Sequence, residues 1–152
     1  HSIRLIFPYY LKRRHTLITI KVGFTLFCVD GWFELHAKFG KLPMNKILAP
    51  AINYANEGFP VTELIGYYLE RSVPYLGAKF PNVVETYSVN GKVPSKGTIF
   101  KNPYLAATYS KLAQGGRDTF YKGAMAKTIV SFIKEQGGFL SYNDLAFGYS
   151  IK

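Results

Sequence analysis

The glycine-containing run Gly115–Gly123 is the feature that most constrains how this chain of 152 residues can fold. It stands between two segments, 105–113 and 125–133, in which apolar residues recur at the spacing of one face of an α-helix. Glycine adopts left-handed backbone conformations at little cost, so Gly115 and Gly116 predict the end of one helix and a tight turn before the next. The run therefore predicts a helix–corner–helix arrangement.

The same run contains glycines and a lysine, as phosphate-binding loops do, but its spacing is different. It lacks the Gly-x-x-x-x-Gly-Lys-Ser/Thr pattern, and it follows a predicted helix where a phosphate loop follows a strand. Asp118 is expected to cap the turn after the glycines, and Phe120 and Tyr121 are expected to pack inward. We therefore interpret the run as structural.

Capping signals predict that residues 29–146 are mainly helical. Asp30 is expected to be the N-cap of a helix over 31–39, and Gly40 is expected to end that helix in a left-handed C-cap. The inner face of this helix is expected to consist of Trp32, Leu35, His36 and Phe39.

Apolar stripes at helical spacing predict four more helices, at 44–55, 61–69, 105–113 and 125–133. The last three stripes are expected to face a common core. Pro50 falls inside the first stripe, so that helix should kink or restart there, because proline removes one backbone donor and clashes with the preceding turn.

Shorter signals predict the connections. Residues 81–101 contain prolines and glycines and are expected to form a loop, with a short hairpin at Asn90-Gly91. Asn102-Pro103 predicts an N-cap followed by proline at the first helical position. Gly137-Gly138 predicts a helix end, and Ser141–Asp144 resembles a capping box with aspartate in place of the usual glutamate or glutamine.

The formal charge of +10 raises the question of nucleic-acid binding. Residues 1–28 carry five Lys/Arg and no acid, whereas the other fourteen Lys/Arg are spread among nine Asp/Glu over the rest of the chain. Nucleic-acid proteins usually concentrate their basic residues on one face or along one helix. The distribution therefore does not favour a nucleic-acid partner.

No combination of residues in the sequence predicts a catalytic or metal site. Cys28 is the single cysteine, and a lone thiol in an apolar run is usually a small buried residue. His36 is expected to be packed or hydrogen-bonded, and one cysteine with three scattered histidines does not make a zinc site. The carboxylates show no spacing that forces a shared acid–base site, and no Gly-x-Ser-x-Gly elbow occurs. We therefore assign no catalytic, substrate-binding, cofactor-binding or metal-binding residue.

The apolar segments are too short to predict a membrane span, which requires about 18 consecutive apolar residues. The segment Thr16–Cys28 follows the basic residues Lys12–Arg14, as the apolar part of a signal peptide would. Lys21 interrupts this segment, and no small-x-small cleavage site follows it. The sequence therefore predicts neither a membrane span nor an export signal.

Short motifs along residues 29–146 occur in an order that resembles the gamma-glutamyltransferase (glutathione hydrolase) family. Each motif alone is weak, whereas the ordered set over more than a hundred residues is specific. The motifs are Val29–Trp32, Gly40–Pro43, Leu48–Ile52, Ala55–Val61, Phe100–Ala106, Gly116–Gly123, Gly137–Leu140 and Asp144–Ala146.

The resemblance implies both a fold and a chemistry. The family belongs to the N-terminal-nucleophile hydrolases, so this chain is expected to be a mainly α fragment of their αββα sandwich. Members make a precursor that cleaves itself, and the threonine that begins the small subunit attacks the gamma-glutamyl carbonyl of a donor such as glutathione. Water or an amine acceptor then receives the gamma-glutamyl group. The parent family is expected in the periplasm or outside the cell, and the resemblance implies no cofactor.

The family residues that perform this chemistry have no counterpart in the matched region. The nucleophilic threonine and the oxyanion glycines lie in the small subunit, and the arginine that holds the substrate carboxylate falls upstream of the match. Arg117 is therefore not expected to be that arginine. We expect the chain alone to be inactive, with the small subunit of the parent enzyme as its partner.

The resemblance is lost at both edges. Residues 1–28 form a basic and apolar segment that does not match, and residues 147–152 form a tail that does not match. This loss suggests a truncated or frame-shifted reading frame. The alternative is a non-catalytic helical interaction domain, and the DNA on either side of the gene would distinguish the two.

Overall fold

The computed structural model describes residues 16–147, with side chains from Cys28 to Ala146. Predictions about residues 1–15 and 148–152 lie outside the described residues. The prediction of a mainly helical chain is confirmed for the described part. Its helices are α1 (Thr16–Phe39), α2 (Met44–Glu57), α3 (Glu63–Gly77), α4 (Pro81–Tyr87), α5 (Pro103–Tyr121), α6 (Ala124–Glu135) and α7 (Tyr142–Phe147), and its strands are β1 (Phe59–Pro60) and β2 (Ile99–Phe100).

The chain divides into two compact units, of which one is Asn45–Ser110. In this unit β1 and β2 pair antiparallel, with Phe59 opposite Phe100. Val61 continues the pairing, because its N–H donates to the Thr98 carbonyl oxygen at 2.9 Å. The core of the unit consists of Ala55, Val61, Val73, Phe100 and Ala106.

The other unit combines the residues up to Met44 with those from Lys111 onward. It contains α1, the end of α5, α6 and α7, and α6 packs on α7. Its buried residues are Val29, Leu112, Tyr121, Ala126, Val130, Ile133, Leu145 and Ala146.

The predicted end of α6 is confirmed by its hydrogen bonds. Gly137 has a φ of 77°, and its N–H donates to the Lys134 carbonyl oxygen at 2.9 Å. The N–H of Gly138 donates to the Ile133 carbonyl oxygen at 2.8 Å. These two bonds satisfy carbonyls that the helix itself leaves unpaired, as in a Schellman motif.

The two predicted helix starts are also confirmed. Asn102 Oδ1 accepts the N–H of Leu105 at 3.0 Å, and Pro103 is the first residue of α5. Ser141 and Asp144 form a reciprocal capping box: Asp144 Oδ2 accepts the Ser141 N–H at 2.8 Å, and Ser141 Oγ accepts the Asp144 N–H at 3.2 Å. Hydrogen bonds from the backbone and hydroxyl of Ser141 lower the pKa of Asp144.

The predicted helix start at Asp30 is wrong. α1 begins at Thr16 and runs unbroken through Asp30. The helix therefore crosses the boundary between the basic and apolar segment 1–28 and the region with the family motifs. Since no proline interrupts 16–39, a potential N-cap residue does not stop a helix that has already begun. Gly40 does follow the last helical residue, but it is absent from the residues with positive φ, so it is not a left-handed cap.

The predicted inner faces of the helices are partly wrong. Three members of the predicted inner face of α1, namely Trp32, Leu35 and Phe39, are exposed, whereas Val29 on the same helix is buried. In the predicted stripe at 61–69, Leu64 and Tyr68 are exposed, whereas Gly66 between them is buried. Small residues lie at the closest contacts, where a Cβ on Gly66 would stand 3.3 Å from the Lys96 backbone nitrogen. Counting large apolar residues therefore misplaces the face.

The other predictions about connections and single residues are partly wrong and partly confirmed. Pro81–Tyr87 forms helix α4 where a loop was expected, because proline suits the first helical position. The turn at Asn90-Gly91 is confirmed, with φ values of 53° and 74° and a bridge between Val89 and Lys92. α2 continues through Pro50 without restarting, and Cys28 is exposed rather than buried.

Gly116 forms the predicted corner, with φ 67° and ψ −165° inside α5. Only glycine adopts this conformation readily, so we expect Gly116→Ala to lower the free energy of unfolding by about 1–3 kcal/mol. Gly31 provides the matched control, because it lies inside α1 without a positive φ.

Apart from the adjacent residues and the nearby backbone of the helix itself, no described atom lies within 4 Å of a Cβ placed on either glycine, so neither alanine would clash with a neighbouring part of the described chain. We expect Gly31→Ala to raise the free energy of unfolding by up to about 1 kcal/mol, because alanine favours a helix. Urea denaturation followed by circular dichroism measures both changes. Equal effects at the two positions would contradict the assignment of the corner to Gly116.

Candidate functional site

The candidate site is a polar cluster formed by Asp30 on α1 with Arg117 and Tyr121 at the end of α5. Arg117 Nε and Asp30 Oδ1 form an ion pair, and their side chains are only 29% and 17% exposed. Both charged atoms are shielded from water, and each has the other as its partner. Charged side chains that are shielded from water are usually paired, as these two are.

Tyr121 completes the cluster and is 1% exposed. Its hydroxyl oxygen accepts the backbone N–H of Asp30 at 2.9 Å. The ring of Phe120 meets the Tyr121 ring edge to face at 4.9 Å, and the guanidinium of Arg117 lies 5.9 Å from the ring centre. Burial, the largest cause, raises the pKa of Tyr121 to about 12, so the phenol stays protonated at neutral pH.

Local sequence explains how the cluster forms. Gly116 ends the regular part of α5, and the chain resumes a helical course at Arg117. Arg117 and Tyr121 are four residues apart, which places them on the same side of a helical turn. Both side chains reach Asp30, so the Gly115–Gly123 run is fastened to α1.

The properties of the cluster indicate a structural role rather than a catalytic one. A phenol with a pKa near 12 transfers protons poorly at neutral pH, and an arginine engaged with an aspartate is not free to clamp a substrate carboxylate. The sequence predicted that Phe120 and Tyr121 pack inward, and Tyr121 is fully buried. It missed the role of Asp30, which was interpreted as a helix cap.

Two other polar residues singled out from the sequence have local roles. His36 Nε2 lies 2.7 Å from the Leu42 carbonyl oxygen, and since a carbonyl can only accept, the ring nitrogen donates. Asp118 does not cap a turn. It is exposed, and its carboxylate pairs with Lys122 Nζ at 3.1 Å, one helical turn further along. The N-cap residue of the next helix, α6, is Gly123.

Between residues 16 and 147, no group of three His, Cys, Asp or Glu residues is arranged to hold a metal ion. No helix in that range is long and apolar enough to cross a membrane.

Comparison with known proteins gives the family. The sequence profile described as Gamma-glutamyltranspeptidase matches residues 28–152, which includes the segment 147–152 that had been set apart as a tail. The chain belongs to the gamma-glutamyltranspeptidase family. It is 36% identical over 118 residues to the glutathione hydrolase proenzyme of Pseudomonas aeruginosa, covering 78% of this chain and 20% of that protein.

Solved structures show the same likeness. A gamma-glutamyltranspeptidase from Pseudomonas nitroreducens is 35% identical with a TM-score of 0.71, covering 79% of this chain and 34% of that one. A cephalosporin acylase from Bacillus halodurans is 31% identical with a TM-score of 0.72, covering 77% of this chain and 23% of that one. The chain spans about a fifth of the length of the first relatives it matches.

The Asp30–Arg117 ion pair of this gamma-glutamyltranspeptidase family member should stabilise the fold. We expect Asp30→Asn and Arg117→Gln each to lower the free energy of unfolding by about 2–3 kcal/mol, because each leaves a shielded charge without its partner. The double variant should lose less than the sum of the two. Denaturation in urea measures all three.

The exposed pair of Asp118 and Lys122 in the same run is the matched control. Because solvent screens it, Asp118→Asn should change the free energy of unfolding by about 0.5 kcal/mol or less. Strict additivity of the Asp30 and Arg117 substitutions would show that the two side chains do not interact.

Tyr121 should make stability fall at high pH. Its folded-state pKa, about 12, lies above the ordinary value of 10.0, so its contribution is fully present below pH 10 and is lost as the pH rises from 10 to 12. In that interval the unfolded chain has released the proton that the folded chain retains. Tyr121→Phe has no such proton, so its free energy of unfolding should fall less steeply. Identical slopes for the two proteins between pH 10 and 12 would disprove this.

Proposed function

We propose that this chain is part of the large subunit of a gamma-glutamyl hydrolase or transferase, with glutathione as the donor. The match of residues 28–152 to the family profile carries the proposal, and the relatives named glutathione hydrolase support it. In this proposal the helices form one helical layer of an αββα sandwich. The likeness to solved family structures, with TM-scores near 0.7, supports that placement.

The proposed reaction uses groups that lie beyond the matched region. A threonine at the start of a small subunit attacks the gamma-glutamyl carbonyl, and the gamma-glutamyl group leaves its donor for the threonine oxygen. Water or an amine then takes the group and restores the threonine. The small subunit is therefore the proposed partner.

The role of this chain in that reaction is to support the site rather than to react. Asp30, Arg117 and Tyr121 fix the corner at Gly116 against α1. A protein made of these 152 residues alone lacks the nucleophile that the family uses. Losing a nucleophile costs about 10⁶-fold in rate where catalytic residues act as a unit.

Grafting tests this proposal. The segment of the Pseudomonas aeruginosa glutathione hydrolase proenzyme that aligns with this chain is replaced by residues 28–146. We expect the chimera to cleave itself into two subunits and to release product from a gamma-glutamyl anilide. The same proenzyme with the segment deleted is the control and should do neither. The isolated chain, purified free of other hydrolases, should also release no product.

Two results would contradict the proposal. The first is a chimera that is soluble and has the helical content of the parent enzyme, yet neither cleaves itself nor hydrolyses the anilide. The second is turnover by the isolated chain that follows the folded protein through purification, because the chain would then contain its own nucleophile.

A further inference from the structure

The outward face of α3 carries aromatic and basic residues at positions where helices of soluble proteins usually carry mixed charges. Tyr67, Tyr68 and Tyr75 are between 51% and 64% exposed, while Gly66 and Val73 on the opposite side are buried. We call this surface the Tyr–Arg face. It consists of Leu64, Tyr67, Tyr68, Arg71 and Tyr75 on α3, together with Lys79 two residues beyond the end of the helix.

Both cations of the Tyr–Arg face are held in place by tyrosine rings. Arg71 Nη1 donates to the Tyr67 hydroxyl at 2.9 Å, and its guanidinium lies 5.3 Å from the Tyr67 ring centre. Lys79 Nζ donates to the Tyr75 hydroxyl at 3.1 Å and lies 4.5 Å from that ring centre. The hydrogen bond from Lys79 lowers the pKa of Tyr75. Each cation retains further donors for another partner.

The charge of the Tyr–Arg face is positive. The carboxylates of α3, Glu63 and Glu70, fall on one flank of the helix by their spacing from Tyr67 and Arg71. Glu63 is also engaged with Lys96, whose Nζ donates to Glu63 Oε2 at 2.8 Å. A partner that covers the face would therefore gain from negative charge.

We propose that the Tyr–Arg face is a docking surface for an acidic segment of another protein. Tyrosine and arginine, together with tryptophan, are the residues that most often dominate protein–protein binding energy. The rings already order the two cations, so pairing them with carboxylates costs less conformational entropy. Arg71 lies on α3 and Lys79 lies two residues beyond its end, where the N–H groups of Ala78 and Lys79 still donate to the carbonyls of the last turn. The two residues are therefore about 12 Å apart along the helix direction, and the partner should present two carboxylates at that spacing.

This composition favours a protein partner over a lipid surface. Leu64 is the one aliphatic residue of α3 that is more than half exposed, since Ile65 and Leu76 are 40% and 38% exposed. Two of the tyrosine hydroxyls are hydrogen-bonded to cations. Membrane-binding helices instead bury a continuous apolar face in the lipid. The proposal concerns a surface separate from the Asp30–Arg117–Tyr121 cluster and does not rest on the enzymatic role proposed above.

Fluorescence anisotropy with a designed peptide tests the docking surface on the full chain. The probe is a labelled alanine–glutamine helix with two glutamates eight residues apart. A control peptide of the same length carries glutamines at both positions. Arg71→Gln/Lys79→Gln should weaken binding of the glutamate probe about tenfold, as expected for the loss of two exposed charge pairs. The matched control, Lys46→Gln/Lys101→Gln, removes the same charge from exposed positions of the same unit. It should weaken binding of the glutamate probe less than about twofold.

Circular dichroism verifies that both double variants remain folded. Carbodiimide coupling of the glutamate probe to the unaltered chain, mapped by mass spectrometry, gives a second measurement that needs no variant, and Lys79 should be the main site. Equal weakening by the two double variants, or coupling spread evenly over the lysines, would overturn the proposal. Tighter binding to anionic lipid vesicles or to a single-stranded oligonucleotide, lost in the Arg71→Gln/Lys79→Gln variant, would also overturn it.

Discussion

The ion pair between Asp30 and Arg117 is the contact on which the unit that contains it most depends. Both charges are largely removed from water, so any packing of the helices that shields them without pairing them has a higher free energy. Apolar side chains in the same unit could pack in several ways at similar cost. The ion pair, together with the hydrogen bond from the Asp30 N–H to Tyr121, favours one of them.

The geometry of this contact depends in turn on a single glycine. The left-handed conformation of Gly116 ends the first part of α5 and sets the direction in which Arg117 and Tyr121 point. The polar cluster and the corner therefore belong together: the corner positions the side chains, and the side chains fix the corner to α1.

The physical properties of the cluster suit it to stabilising the fold rather than to catalysis. Its tyrosine is buried with a raised pKa and its arginine is engaged with a carboxylate, so the cluster stabilises the fold and is poorly suited to transferring protons or to binding a substrate carboxylate. The Tyr–Arg face of α3 has the opposite character, because its cations lie at the surface with donors to spare. Shielding from water thus distinguishes a residue that holds the fold from one that is available to a partner.

The sequence by itself determined the local features of this protein. Asn102-Pro103, Gly137-Gly138 and the pair of Ser141 and Asp144 predicted helix boundaries, because capping depends on residues within a few positions of one another. The ordered motifs also predicted the family, and the family profile confirms it.

Only the tertiary structure decided which faces are buried and which polar residues meet. Asp30 was interpreted as a cap because its local pattern fits one, whereas its partner, Arg117, is far away in sequence and no local pattern pairs them. Gly66 and Ala126 lie in the cores because small residues allow the closest approach, which a count of large apolar residues cannot register. Contacts between distant segments depend on the packing of whole helices, and local sequence does not encode that packing one residue at a time.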